Sequence, residues 1–157
     1  MNPMKPFFLS FFSFLFIISI HAQGYDPAKV NKKAAALYSQ AIEKAESGSY
    51  LEAIGLMDQA LKQDKKFVDA YLSKAGLYGE LKNYPMAIEN YETAFKLDPE
   101  YSRDYKLPYA INLAGKGEFE KALAGIDEFT KDPSLNESSL KAAAYRRKCF
   151  AFGQEME

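Results

Sequence analysis

The chain has 157 residues, with 20 lysines and arginines against 21 aspartates and glutamates, one histidine, one cysteine and no tryptophan. This length suits one domain, and a formal charge of −1 gives no electrostatic reason to expect nucleic acid or an acidic membrane as a partner. The basic residues are scattered and interleaved with acids, which further disfavours a nucleic-acid-binding surface.

The first 22 residues have the pattern of a secretory signal peptide. One basic side chain, Lys5, precedes an apolar run from Phe7 to Ile20 that only serines interrupt, and Ala22 follows shortly after it. As a helix this run spans about 21 Å, less than the roughly 30 Å of a bilayer's hydrocarbon core. We therefore predict cleavage after Ala22, with an uncleaved membrane anchor as the alternative.

Export would determine which chemistry remains in the chain. Cleavage removes His21, the only histidine, and Cys149 is the only cysteine. No intramolecular disulfide, no histidine–cysteine metal site and no histidine-based general base or nucleophile pair is then available. We therefore expect no catalysis, no cofactor, no metal and no membrane insertion after cleavage. The expected location is the periplasm or cell envelope of a bacterium, or the medium outside the cell.

A repeat of about 34 residues organises the rest of the sequence. An aromatic residue recurs at Tyr50, Tyr84 and Phe119, and an alanine three residues further on recurs with the same spacing. Apolar residues at helical spacing are separated by Gly, Asn and Asp-Pro joints, and no stretch shows a strand pattern. Each repeat therefore predicts two helices, and successive pairs must stack because one pair cannot bury its apolar face alone.

This period predicts the domain organisation. The expected parts are a signal peptide over 1–22, a flexible lead-in over 23–33, three helical units over 34–67, 68–101 and 102–136, and a capping helix over 137–157. Pro108 falls within the first helix of the third unit, where a proline predicts either a kink or a regular helix that begins only near Lys106.

The second unit resembles the tetratricopeptide repeat (TPR), a 34-residue helix–turn–helix with small residues where helices cross and large residues in the gaps. Its residues at the signature positions are Tyr71, Ala75, Tyr78, Ala87, Tyr91, Ala94 and Pro99. The first unit keeps Ala41, Ala53 and Ala60, and the third keeps Ala110 and Ala122 but has Phe129 at a usually small position. The resemblance implies an all-α fold, a right-handed α-solenoid of three such units with a C-terminal capping helix.

The order of signal peptide, three repeats and a basic helix around 145–149 is similar to the start of bacterial envelope proteins. In those proteins such repeats precede a β-propeller and an OmpA-like peptidoglycan-binding domain. This resemblance implies a compartment and a scaffold role, and it leaves two interpretations open. The chain is either an exported, non-catalytic scaffold that presents a TPR groove to a protein or peptide partner, or the N-terminal fragment of a larger outer-membrane or peptidoglycan-associated, secretion-related assembly protein.

The first helix of each unit should line the concave side of the stack. By spacing, the candidate groove residues are Tyr38, Ile42, Asp69, Leu72, Gly76, Asp104, Leu107 and Ile111. For Leu72 and Leu107 the alternative is that neighbouring helices cover them and they belong to the core. The resulting groove is apolar and aromatic with an acidic margin, and it could take an extended or helical peptide.

One well-known activity of the family is not implied by this sequence. TPR domains that hold the C-terminal carboxylates of chaperones use lysine, arginine and asparagine at particular groove positions. Here those positions hold Tyr38, Ile42, Ser73, Asp104 and Pro108. The resemblance therefore does not carry that carboxylate-binding activity over to this chain.

Overall fold

The computed structural model describes residues 24–130 as six α-helices in three consecutive helix–turn–helix pairs. The helices are α1 (Lys32–Glu46), α2 (Tyr50–Gln63), α3 (Val68–Glu80), α4 (Tyr84–Leu97), α5 (Lys106–Lys116) and α6 (Phe119–Thr130). Short 3-10 turns over Pro27–Lys29 and Arg103–Tyr105 precede α1 and α5. This part of the chain has no strand, so the all-α prediction is confirmed there. The signal peptide predicted over 1–22 and the capping helix predicted over 137–157 lie outside the described residues.

The same type of turn connects the two helices of each pair. Gly48, Lys82 and Gly117 adopt the left-handed backbone conformation, with φ of 79°, 57° and 92°. At each turn this residue donates its N–H to a carbonyl three residues back, and the next residue donates to a carbonyl five residues back. This pair of hydrogen bonds is the Schellman motif, which satisfies the free carbonyls at a helix end. The three turns recur with the period of the sequence, so the repeat reflects turn geometry as well as core packing.

An aspartate ends the second helix of each of the first two pairs. Asp64 follows α2 and Asp98 follows α4, both with extended backbone. Each carboxylate accepts a hydrogen bond from its own loop, Asp64 from the Lys66 N–H at 3.0 Å and Asp98 from the Tyr101 N–H at 2.9 Å. Each of the two loops between pairs therefore contains the same kind of hydrogen bond, from a backbone N–H to an aspartate side chain.

Two backbone N–H groups of the segment before α1, which lies in the flexible lead-in expected over 23–33, are hydrogen-bonded to aspartates of the inter-pair loops. The N–H of Asn31 donates to the Asp64 carboxylate at 3.1 Å, and the N–H of Tyr25 donates to the Asp98 carboxylate. The segment therefore bridges two successive inter-pair loops. Helical periodicity could not reveal this, because the partners lie 33 and 73 residues away along the chain.

Small residues lie where the helices cross. Ten alanines have no exposed surface: Ala34, Ala41, Ala53, Ala60, Ala70, Ala75, Ala87, Ala94, Ala110 and Ala122. Larger apolar side chains such as Met57 and Ile126 fill the space between these crossings, and both are completely buried. Phe129, at a usually small position, is only 4% exposed and packs into the core of the third pair. All the signature alanines singled out in the sequence are therefore core residues.

Pro108 is accommodated by a late helix start. Helix α5 begins at Lys106, so Pro108 lies in its first turn, where the backbone N–H would have no intrahelical acceptor. The side-chain amide of Asn112 donates a hydrogen bond to the Pro108 carbonyl at 2.8 Å. Of the two alternatives expected for this proline, the structure shows the second.

Among residues 24–130, no helix is both long enough and apolar enough to span a bilayer.

We predict that Gly115→Ala destabilises the contact between the second and third pairs. A Cβ at Gly115, in the last turn of α5, would lie 2.5 Å from a ring carbon of Tyr84 at the start of α4. Such overpacking costs about 1–3 kcal/mol, which exceeds the roughly 1 kcal/mol that alanine gains over glycine in a helix. The free energy of unfolding, measured by urea titration, should fall by about 1 kcal/mol.

Gly55→Ala on α2 is the matched control, because a Cβ there would meet no atom within 4 Å. This variant should gain about 0.5–1 kcal/mol of stability from helix propensity. Equal stability of the two variants would contradict the packing described for Gly115.

Candidate functional site

Six of the eight predicted groove residues reach the surface. Asp104 is exposed in the 3-10 turn before α5, and the other five are partly exposed: Tyr38, Ile42, Asp69, Gly76 and Ile111. Ile42, Gly76 and Ile111 occupy equivalent positions of α1, α3 and α5 in the repeat. The first helix of each pair therefore contributes accessible side chains, as the repeat period predicts.

Leu72 and Leu107 are not available to a partner in this structure. Leu72 is 2% exposed and packs in one core cluster with Tyr91 and Ala94 of α4. Leu107 is 7% exposed and packs in another cluster that includes Ile126 of α6. The second helix of each pair covers these leucines, so both belong to the core, and their place in the predicted groove is corrected accordingly.

Asp69 is the meeting point of three separate parts of the chain. It lies in the first turn of α3, where the helix dipole favours a negative charge. The Tyr25 hydroxyl donates a hydrogen bond to Oδ2 of the Asp69 carboxylate at 2.6 Å, and the Tyr101 hydroxyl donates one to Oδ1 at 2.7 Å. The two tyrosine rings meet edge to face, with centroids 4.7 Å apart. The segment before α1 and the loop after α4 thus converge on one carboxylate of α3.

Further tyrosines extend this surface on both sides. The Tyr38 hydroxyl of α1 shares a 2.8 Å hydrogen bond with the Ser73 hydroxyl of α3. Tyr105, just before α5, is 37% exposed, and its ring centroid lies 6.5 Å from that of the buried Tyr91. We call the surface formed by Tyr25, Tyr38, Asp69, Tyr101 and Tyr105 the tyrosine groove.

The tyrosines of the groove have raised pKa values. Burial is the main cause that raises the pKa of Tyr38, Tyr101 and Tyr105, and the charge of Asp69 raises the pKa of each further. For Tyr38 the hydrogen bond shared with Ser73 opposes this shift in pKa. Burial, with smaller contributions from Tyr105 and Glu80, raises the pKa of Tyr91 to about 12.

The positions that hold carboxylates in other TPR domains carry no cation in this structure. Tyr38 and Ser73 are bonded to each other. The neighbouring lysine, Lys74, is paired with Asp58 of α2, and its side chain is only 12% exposed. Within residues 24–130, no three histidine, cysteine, aspartate or glutamate side chains are grouped so as to hold a metal ion.

Sequence reasoning missed several tyrosines of the groove. Tyr101 and Tyr105 lie between Pro99 and regular α5, outside the helical spacing used to select inward-facing residues. The concentration of tyrosine in this stretch was the available signal. Tyr25 precedes the first repeat, so no periodic signal could have assigned it to the groove.

Solved structures with the same arrangement of helices are TPR domains and chaperones. The TPR2B domain of yeast Sti1, in its complex with pHsp70, is 21% identical to this chain with a TM-score of 0.65, over 81% of this chain and 100% of that one. The chain has the fold of a TPR domain. The type III secretion translocator chaperone SycD of Yersinia enterocolitica, in complex with a peptide of the translocator YopD, is 21% identical with a TM-score of 0.67. That match covers 77% of this chain and 95% of the chaperone.

Relatives found by sequence are larger proteins. Serine/threonine-protein phosphatase 5 of Homo sapiens is 29% identical over 125 residues, which covers 69% of this chain and 25% of the phosphatase. The chain thus spans about a quarter of the length of the curated relatives that it matches first. No protein-family model matches the chain.

The raised tyrosine pKa values predict alkaline unfolding. A group whose pKa is higher in the folded state contributes stability that is complete below its unfolded pKa and is lost as the pH rises above it. For Tyr91 this loss should run from about pH 10 to about pH 12. Tyrosinate absorbance should therefore rise in this range together with the loss of helical circular dichroism, and Tyr91→Phe should shift the transition to higher pH. Ionisation of all tyrosines near pH 10 with helix content intact would contradict the burial described here.

Proposed function

We propose that this protein is an exported, non-catalytic scaffold that binds a segment of a protein partner in the tyrosine groove. The observation that carries the proposal is the convergence of Tyr25 and Tyr101, from segments outside the helices, on the Asp69 carboxylate of α3, on a fold of stacked helix pairs. Tyrosine combines a large apolar face with a polar tip, and it is enriched at protein interfaces for that reason.

Two neighbours in structure support peptide binding by this fold. Sti1 was solved with pHsp70 and SycD with a peptide of YopD. Stacked helix pairs offer an extended concave surface, which suits a partner segment several residues long. In this chain the positions that would hold a terminal carboxylate are occupied by Tyr38, Ile42, Ser73, Asp104 and Pro108, and none of these side chains is a cation. We therefore propose recognition of side chains within a segment, rather than of its C-terminus.

The proposed compartment rests on residues 1–22. Their basic start, short apolar run and small residue at the end fit a cleaved export signal, which would bring the domain to the cell envelope or the medium. The residue inventory supports a binding role there, since His21 is the only histidine and lies within that segment.

Affinity capture from the cell envelope fraction tests the proposal. Wild-type protein should recover one principal partner, and Tyr105→Ala should reduce its recovery at least tenfold, since truncation of an aromatic anchor costs about 2 kcal/mol or more. Ile42→Glu should also reduce recovery of the partner, because it places a charge on the apolar surface of α1, the helix that carries Tyr38. Helical circular dichroism must show that each variant is folded.

Leu51→Glu provides the matched control. Leu51 is an exposed apolar residue of α2, 73% accessible and outside the groove, so this variant should recover the partner as the wild type does. Equal recovery by all forms would place binding elsewhere on the molecule. Absence of the protein itself from the envelope fraction and the medium would contradict the proposed export.

A further inference from the structure

We infer that the segment held in the groove presents a lysine or arginine side chain to Asp69. This inference rests on the proposed function and names the chemical class of its partner: a basic segment that also carries apolar or aromatic residues.

The Asp69 carboxylate is held in place by neutral donors only. Tyr25 donates to one of its oxygens and Tyr101 to the other. A carboxylate offers about four acceptor positions, so each oxygen retains capacity for another donor. The basic side chains of Lys74 and Arg103 form ion pairs with Asp58, Glu100 and Asp104. The carboxylate is thus oriented by two hydrogen bonds from neutral hydroxyls, which leave its negative charge in place.

Aromatic rings around this carboxylate would favour the same ligand. Tyr101 and Tyr105 are each 37% exposed, and Tyr38 is partly exposed. Asp69 accepts hydrogen bonds from Tyr25 and Tyr101, and its charge contributes to the raised pKa values of Tyr38 and Tyr105. An ammonium or guanidinium group is attracted to a tyrosine face within about 6 Å. A cation at Asp69 would therefore gain an ion pair, and any tyrosine face within that distance of the cation would add to its binding.

Lys74 of α3 and Arg103 of the 3-10 turn before α5 are paired with other carboxylates. Lys74, on the same helix as Asp69, is engaged with Asp58 of α2. Arg103 lies 3.2 Å from Glu100 and 3.9 Å from Asp104, so its charge is opposed by two local carboxylates. An acidic segment would meet unfavourable charge at Asp69, and a basic one would meet favourable charge.

Selection from a phage-displayed library of random peptides, each of about twelve residues, tests the inference. Wild-type protein should enrich peptides with lysine or arginine at one position, and Asp69→Asn should lose that enrichment. Glu89→Gln is the matched control: like Asp69→Asn it removes one carboxylate charge, but Glu89 is an exposed residue of α4 outside the tyrosine groove. It should therefore keep the preference for a basic residue.

Affinities of the best selected peptide give a second readout. Asp69→Asn should weaken binding of this peptide about tenfold, but should leave unchanged the affinity for the same peptide with glutamine in place of the basic residue. With wild-type protein, added salt should weaken only the basic peptide. This salt comparison needs no variant, so it remains decisive if Asp69→Asn does not fold.

The outcomes separate this inference from the proposed function. Selected peptides without basic enrichment, whose binding is nevertheless lost in Tyr105→Ala, would overturn the cationic partner and leave groove binding intact. Basic enrichment that persists in folded Asp69→Asn would overturn Asp69 as its anchor. Failure of the wild type to select any peptide would contradict both.

Discussion

Close approach of neighbouring helices at buried alanines is the constraint on which the rest of the molecule depends. Ten alanines with no exposed surface occur on α1 to α6. A larger side chain at these crossings would separate the helices, and packed interiors accommodate added volume poorly. The close packing brings α1, α3 and α5 into the arrangement that gathers Tyr38, Asp69 and Tyr105. The candidate site is therefore a consequence of alanines that no partner would touch.

The segment before the repeats completes the site that the repeats begin. Asp64 and Asp98 clamp their own loops and also accept N–H groups from Asn31 and Tyr25. This attachment places the Tyr25 side chain on Asp69. The same segment thus has two roles, because it ties two inter-pair loops together and contributes a ring and a hydroxyl to the groove.

The fold was largely predictable from the sequence because it depends on short-range regularities. Helical spacing, left-handed turn positions and small residues at crossings all recur with a period of 34 or 35 residues. For Pro108 the sequence predicted either a kink or a helix that begins near Lys106, and the structure shows the helix beginning at Lys106. Accessibility was harder to predict: Leu72 and Leu107 share a repeat position with Tyr38, but the second helix of each pair covers the leucines.

The groove tyrosines could not be assigned in the same way. Tyr25 and Tyr101 approach Asp69 from irregular segments, where side-chain direction does not follow from periodicity. Their contacts join residues 44 and 32 positions apart, and only the folded backbone brings them together. The sequence predicted an apolar and aromatic groove with an acidic margin, but it did not predict that Tyr25 and Tyr101 meet at the Asp69 carboxylate.

Site-specific photo-crosslinking in the cells that make the protein tests most directly whether the tyrosine groove is the binding surface. A photoreactive phenylalanine analogue would replace Tyr105 in one form and Leu51, on exposed α2, in another. If the groove binds the partner, position 105 forms a discrete adduct with one protein in the envelope fraction, and mass spectrometry places the crosslink within a single segment of it. An adduct from position 51 alone, or the same adduct from both positions, would contradict binding in the groove.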